Sequence, residues 1–310
     1  MPDGGIEGNW PGPANYCYNK LWEMLTELAE KKLRIWDAHV HIFPPRLFGA
    51  IWQWFERYSI SLPYRGISSA EAAGHLRGMG VDKAFLLVYA HRPDVSAGIN
   101  RWLYNFCLNN PMFLPFGCIH PGDRMLNGVI EEALDVFGFC GFKIHCMVSQ
   151  MKADDPSLTP VYREIERRGR MLVVHAGTAP MPAPWLGLDN IERILYAHPD
   201  MVVQVAHLGH FEIEKAARLL ENYPRLFLDT AWALGNSYMK VDQRAVCDLI
   251  KAFPGRVLYG SDFPIIPEDP GMGIEKLVNL LPDSIIQDVL YCNAEKIIKG
   301  LSRPASGKLS

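Results

Sequence analysis

The sequence predicts a distorted (β/α)8 barrel of the TIM type. Three observations carry that reading. Short apolar, β-branched or aromatic runs recur eight times, each leading through a polar turn into a helical pattern. Such strands, alternating with amphipathic helices, imply a parallel sheet covered on its outer face. Eight units over about 270 residues is also the size of a (β/α)8 barrel. An open doubly wound sheet is the competing architecture. It usually has fewer strands, and the phosphate loops that would favour it, GxGxxG or GxxxxGK[ST] after the first strand, are absent.

The elements follow in order. Residues 1 to about 16 are rich in Gly and Pro and read as an irregular arm. "YNKLWEMLTELAEK" (18–31) places Leu21, Met24, Leu25 and Leu28 at helical spacing, which predicts an N-terminal amphipathic helix. The barrel is expected over 33–301, with 302–310 as a tail. Its strands are "LRIWDAH" (33–39), "KAFLLVY" (83–89), "MFLPFGCI" (112–119), "GFKIH" (141–145), "MLVVHA" (171–176), "MVVQVAH" (201–207), "RLFLDT" (225–230) and "RVLYGSD" (256–262). Helical patterns lie near 68–79, 94–110, 124–137, 156–169, 188–198, 211–222 and 240–253, with closing helices near 272–281, 283–290 and 293–300. The Pro-rich 178–190 stretch follows the fifth strand, where a barrel carries an active-site loop.

Composition narrows the class. The chain has 310 residues, 49% hydrophobic and 21% charged, with a net charge of −3. That fits a globular enzyme with a sizeable core and excludes a disordered chain. No basic run suggests nucleic acid, and no apolar stretch is long enough to span a bilayer. The N-terminus lacks the basic and apolar regions of a secretory signal. Seven scattered cysteines (17, 107, 118, 140, 146, 247, 292) include no CxxC pair. They read as reduced thiols, so a cytoplasmic protein is expected.

The chemistry stands at the strand ends. In a parallel barrel the C-terminal ends of all strands open on one mouth. Ten histidines occur, and His39, His41, His120, His145, His175, His207 and His210 lie at or just beyond such ends. Residues i and i+2 of a strand project to one face, so His39 and His41 aim together into the mouth. With His175 and Asp262 they make three nitrogens and one oxygen suited to a divalent ion such as zinc, with a position left for water. His207 is then available as an acid/base group or carbonyl polariser, alongside Asp262. Asp37, two residues before His39, is expected on the same face as a support. Asp229 reads either as a catalytic carboxylate or as a helix cap, and Cys146 as a packed thiol. His75 and His198 fall in helices. Lys143 shares a face with His145. It either binds a substrate carboxylate as a point charge or, carbamylated, bridges two metals with His175 and His207. His91 and His120 follow strands 2 and 3, and each is either a substrate contact or a loop hydrogen-bonder.

Taken together, "WDAHVHIF", "GFKIH", "LVVHAG", "VAHLGH", "LYGSDFP" and the terminal "NAEKIIKG" resemble the amidohydrolase superfamily. They are most similar to its amidohydrolase-2 branch, which includes aminocarboxymuconate-semialdehyde decarboxylase-like enzymes. The resemblance covers roughly residues 33–301 and implies a metal in the mouth of a distorted barrel, usually zinc. It implies His39, His41, His175 and Asp262 as ligands and His207 as the histidine that assists near the metal. The branch's insertion after strand 1 is represented only by 44–67, an aromatic-rich stretch that suits a lid, a subunit contact or a packed helix. Arg46, Arg65 and Arg92 are the loop arginines for a substrate carboxylate.

The expected function is hydrolysis of a C–N or C–O bond in a cyclic amide, ester or lactone, using metal-activated water. One zinc ion is favoured over two, with manganese as the alternative metal. The close alternative is non-oxidative decarboxylation of an unsaturated or aromatic acid at the same site. A third reading is an inactive barrel serving as a binding protein, but no expected ligand is missing. The partner is a small-molecule substrate, not nucleic acid or membrane. The 44–67 aromatics and the N-terminal helix suggest a homodimer.

Overall fold

The computed structural model describes residues 33–178, 182–210, 212–234 and 241–301. The expected arm, the helix over 18–31 and the tail at 302–310 lie outside them. Eight strands form one sheet in chain order, each parallel to the next. They are β1 Ile35–Val40, β2 Val81–Leu87, β3 Phe113–Cys118, β4 Gly141–His145, β5 Met171–His175, β6 Val202–Val205, β7 Leu226–Asp229 and β8 Val257–Leu258. The TIM barrel expected from the apolar rhythm is the fold found.

The helices are α1 Pro45–Arg57, α2 Ser69–Gly78, α3 Ser96–Leu108, α4 Leu126–Glu131, α5 Cys146–Ser149, α6 Thr159–Arg167, α7 Leu188–Ala197, α8 Ile213–Asn222, α9 Gln243–Ala252, α10 Pro270–Leu280, α11 Asp283–Gln287 and α12 Asn293–Gly300. Local chemistry sets several starts. Ser68 and Glu71 form a reciprocal capping box on α2. Asp242 and Asp269 accept the first free N–H groups of α9 and α10. Two expected helices are interrupted: α4 passes into a π turn at Glu132–Val136, and α11 into another at Asp288–Cys292. The short α5 follows β4 directly, where the sequence carries too few residues to show a helical period. No helix among the described residues is long and apolar enough to cross a membrane.

Alternation along the strands separates two apolar layers. Phe85, Leu87, Phe116, Met171, Val173 and Leu258 pack together inside the barrel with Trp36 and Ala38. Their strand neighbours Leu86, Phe142, Leu172, Val174, Val203 and Leu228 pack outward with the helices. Helix α1 adds to the outer layer near the mouth. Its buried Trp52 stacks on Phe48 at 4.9 Å, and Phe48 meets Phe43 edge-on at 5.9 Å.

Strand β1 breaks the alternation. Asp37 pairs with Ala84 and Val40 with Leu86, an advance of three residues on β1 against two on β2. This is a β-bulge, which re-aims side chains and recurs beside active sites. Trp36 and Ala38 face the interior, so Asp37 between them points the other way; the bulge then turns His39 inward. Asp37 therefore does not share the face of His39 as the simple alternation implied.

The barrel closes through the residues after β8. Ala38 N–H donates to Tyr259 O at 2.7 Å, Asp262 N–H to His39 O at 2.8 Å and His41 N–H to Phe263 O at 2.8 Å. The expected eighth strand, 256–262, is regular only over Val257–Leu258 because Asp262 turns into the left-handed region at φ 66°. Strands β4 and β5 approach equally closely. A Cβ on Gly141 would lie 1.7 Å from Met171 O. Gly141→Ala is expected to destabilise the fold by about 3 kcal/mol or more, measurable by guanidinium unfolding.

Candidate metal centre

His39 and His41 meet at the barrel mouth with their Nε2 atoms 3.1 Å apart. Asp262 Oδ1 lies 3.3 Å from His39 Nε2 and 3.0 Å from His41 Nε2. The other nitrogen of each ring fixes its tautomer. His41 Nδ1 lies 2.7 Å from Leu87 O, a group that can only accept, so Nδ1 carries the hydrogen. His39 Nδ1 lies 2.9 Å from Asp229 Oδ2 and donates likewise. Both Nε2 atoms therefore present lone pairs. The buried Asp262 Oδ1 accepts no hydrogen bond. Three lone-pair atoms thus converge with no hydrogen between them; Lys143 Nζ approaches only His39 Nε2, at 3.2 Å, and the facing pair His41 Nε2 and Asp262 Oδ1 repel unless a cation stands among them. Ligand atoms about 2.0–2.2 Å from one ion lie about 3.0–3.4 Å apart, and these spacings match. The set fits a divalent metal.

Asp229 organises the surroundings. It is fully buried on β7. Its Oδ2 accepts from His39 Nδ1 and from Gln204 Nε2 at 2.6 Å, and its Oδ1 accepts from the backbone N–H of His207 at 2.9 Å and of Ala231 at 3.2 Å. Burial raises its pKa, and the His207 and Ala231 amides, the Lys143 charge and the Gln204 amide oppose the rise. A carboxylate behind a ligand histidine fixes the ring and raises its basicity. Gln204 also donates to Ala38 O at 3.0 Å, tying β6 to β1 across the barrel. Its signal in the sequence is a lone amide in "MVVQVAH", three residues before His207, which sequence reading passed over. Tyr89, two residues past β2 in "KAFLLVY", was passed over in the same way.

The remaining histidines pack round this centre. His207 Nδ1 donates to Ala231 O at 2.9 Å, which leaves Nε2 to accept from His175 Nδ1 at 3.0 Å. His207 also stacks on His39 at 4.9 Å and on His210 at 4.7 Å. His145 stacks on His175 at 4.1 Å, meets Tyr89 edge-on at 4.8 Å, and has a buried Nδ1 without a hydrogen-bond partner. Burial drives the pKa values of His39, His145 and His207 well down, with neighbouring positive groups adding to the effect, so these rings are neutral. Lys143, fully buried on β4, sets its Nζ 3.2 Å from His39 Nε2. Burial lowers its pKa to about 8 against the pull of Asp229 and Asp262.

The backbone is strained at the functional positions. His207, Leu208, Trp232 and Asp262 all have left-handed φ values, 62°, 51°, 57° and 66°. Non-glycine residues persist there only when their surroundings over-determine them, and such positions gather at active sites. The structure thus joins His39, His41 and Asp262 directly, with Lys143 against His39. His175 and His207 form an adjoining pair. The outer candidates stand apart: Arg92 is exposed on the loop after β2, and His120 closes a turn with Gly122 N–H and Asp123 on the loop after β3.

Comparison with known proteins gives the fold and the family. A comparison with curated proteins found no match. Among solved structures, an uncharacterised TIM-barrel protein of Bordetella bronchiseptica superposes with a TM-score of 0.69 at 20% identity, covering 86% of this chain and 99% of that one. The 5-carboxyvanillate decarboxylase of Sphingomonas paucimobilis gives 0.63 at 16% identity over 86% and 99%. A dihydroxybenzoic acid decarboxylase of a Polaromonas species, with bound manganese and the inhibitor 2-nitroresorcinol, gives 0.63 at 13% over 86% and 97%. At these identities the likeness speaks for the fold. The model of the Amidohydro_2 (amidohydrolase) family matches residues 36–299, the whole barrel with every residue of the mouth, and the chain belongs to that family of enzymes.

Proposed function

We propose that the chain is a divalent-metal-dependent, non-oxidative decarboxylase of an aromatic carboxylic acid. The observation that carries this reading is the ring wall beside the ligand atoms. Tyr89 meets His41 edge-on at 5.4 Å, Phe43 at 4.9 Å and His145 at 4.8 Å, while Phe43 stacks along His41 at 5.7 Å. These rings pack on one another, Phe43 fully buried and Tyr89 nearly so, and make the lining behind the ligand atoms aromatic; such a lining suits a planar ring, since aromatic groups pack edge-to-face or offset at these separations. Two of the solved relatives are decarboxylases of aromatic acids, which supports the same substrate class.

His39, His41 and Asp262 hold the ion in this reading, and His175 supplies the fourth donor. The tautomer set by His207 favours this role, because it leaves His175 Nε2 with a lone pair rather than a hydrogen. Zinc suits three imidazoles and a carboxylate; manganese, bound in the Polaromonas relative, is the alternative. When bound, the cation supplies concentrated positive charge beside an anionic substrate oxygen. The unpartnered His145 Nδ1 and Lys143 receive the polar groups of the acid. Asp262, with His207 behind the centre, handles the proton. It is delivered to the ring carbon that bears the carboxylate. The C–C bond then breaks, its electron pair remains with the ring, carbon dioxide leaves, and solvent restores the proton. Arg92 and His120 are assigned to the outer end of the substrate path.

Hydrolysis of a lactone, ester or cyclic amide is the second reading, favoured by the description of the family as amidohydrolases. Product analysis separates the two. Carbon dioxide release from hydroxybenzoates, without ring opening of lactones or cleavage of esters or amides, is the expected result; the converse selects the hydrolase. Protein purified without chelator is expected to hold about one divalent ion per chain, and the His39→Ala/His41→Ala double variant none, by elemental analysis. Asp229→Asn is expected to keep the fold by circular dichroism and to weaken metal binding about 10–100-fold, read by chelator competition.

A further inference from the structure

Asp262 is a ligand candidate in a strained conformation, and the residue that follows it shows what holds the strain. Phe263 is fully buried. Its N–H donates to Ser261 Oγ at 2.9 Å, its carbonyl accepts His41 N–H at 2.8 Å, and Asp262 N–H donates to His39 O at 2.8 Å. The Asp262–Phe263 pair is thus bound to both histidines of the centre, through the N–H of the first residue and the carbonyl of the second. The Phe263 ring is gripped from outside the barrel. Tyr64 meets it edge-on at 4.8 Å, and His75 of α2 stacks on it at 5.0 Å with 12° between the planes.

Tyr64 also reaches the far end of the same loop. Its hydroxyl donates to Asp269 Oδ2 and lies 3.3 Å from His75 Nε2. Asp269 Oδ1 meanwhile accepts Gly271 N–H at 2.9 Å and caps α10. One side chain, from the segment inserted after β1, therefore holds both ends of the 263–269 loop. A left-handed aspartate is strained relative to its ordinary conformations. Without a fixed Phe263 it can relax and carry its carboxylate away from His39 and His41.

We propose that Tyr64 is a positioning residue of the metal centre: by clamping Phe263 and Asp269 it holds Asp262 in the left-handed conformation that aims its carboxylate at the ion. The inference rests on the metal-centre reading above and assigns that centre a support some distance along the chain. Partners behind ligand groups typically change metal affinity about 10–100-fold when removed.

The test is cobalt(II) titration of the full-length, metal-free protein, followed by visible absorption, which reports the ligand geometry directly. Tyr64→Phe keeps the ring on Phe263 and removes the hydroxyl. Tyr291→Phe is the control, because that hydroxyl bonds Glu295 and Arg34 at the opposite end of the barrel. Tyr64→Phe is expected to weaken cobalt binding about tenfold and to alter the absorption bands. Tyr291→Phe is expected to change neither, and the metal-free melting temperatures of the two variants should agree. Cobalt affinity and spectrum of Tyr64→Phe equal to wild type would overturn the proposal while leaving the metal centre standing. A wild-type protein that binds no cobalt overturns the metal centre and this proposal with it. Should Tyr64→Phe not fold, Asp269→Asn, which retains the α10 cap, carries the same expectation and the same refutation.

Discussion

The closure of the barrel and the assembly of its metal site are one set of hydrogen bonds. Between β1 and the residues after β8, the donors and acceptors are Ala38, His39 and His41 on one side and Tyr259, Asp262 and Phe263 on the other. The side chains carried by three of these residues are the converging ligands. Closing the ring thus places the acceptors against one another, and the sheet's hydrogen bonds hold them there against their mutual repulsion. Gly260 makes the approach possible. A Cβ there would lie 2.8 Å from that of His39 and 3.3 Å from that of Asp229.

A second consequence concerns the barrel interior. Its lower part is filled by apolar side chains, as in other packed barrels. Towards the mouth His39, Lys143, Gln204 and Asp229 are all fully buried. Polar groups withdrawn from water cost free energy unless they are paired. Here Asp229 collects four donors, and through them β1, β6 and β7 share one carboxylate. The atoms left over are informative for the same reason. Asp262 Oδ1, His145 Nδ1 and Gln204 Oε1 are buried without hydrogen-bond partners, and on the proposed reading an ion and a substrate would complete the first two.

The parts of this molecule legible in the sequence are those governed by local periodicity. All eight strands and the ten helical patterns from 68 onward were readable because apolar spacing is set by burial on one or two faces. His39 and His41 were readable as a pair because two-residue spacing survives any choice of neighbour. What escaped was set by contacts between distant segments. The bulge in β1 depends on its register with β2, so the facing of Asp37 could not be read from alternation. The left-handed turn at Asp262 is imposed by its bonds to β1 and by the Phe263 ring. The π turns at Glu132–Val136 and Asp288–Cys292 extend segments whose pattern still reads as helix. Asp229 reads from sequence either as a catalytic carboxylate or as a helix cap, because a carboxylate at a strand end has the same signature in both; its four donors show a third use, behind His39.

Whether the mouth takes one ion or two turns on which lone pairs are already committed. A second group within 4.8 Å, His39, His207 and Asp229, has the composition of a metal site. Its atoms, however, are joined by hydrogens. His39 Nδ1 donates to Asp229, Asp229 Oδ1 holds two backbone N–H groups, and His207 Nδ1 donates to Ala231 O. A bridging arrangement through Lys143 would also recruit His175 and His207, yet these two already share a hydrogen at 3.0 Å. A second ion would have to displace buried hydrogen bonds at each of these atoms, whereas the first displaces one, from Lys143 Nζ to His39 Nε2, and relieves a repulsion among three acceptors. On the proposed reading, the balance of those two costs favours a single ion held by His39, His41 and Asp262, with Asp229 and His207 behind it.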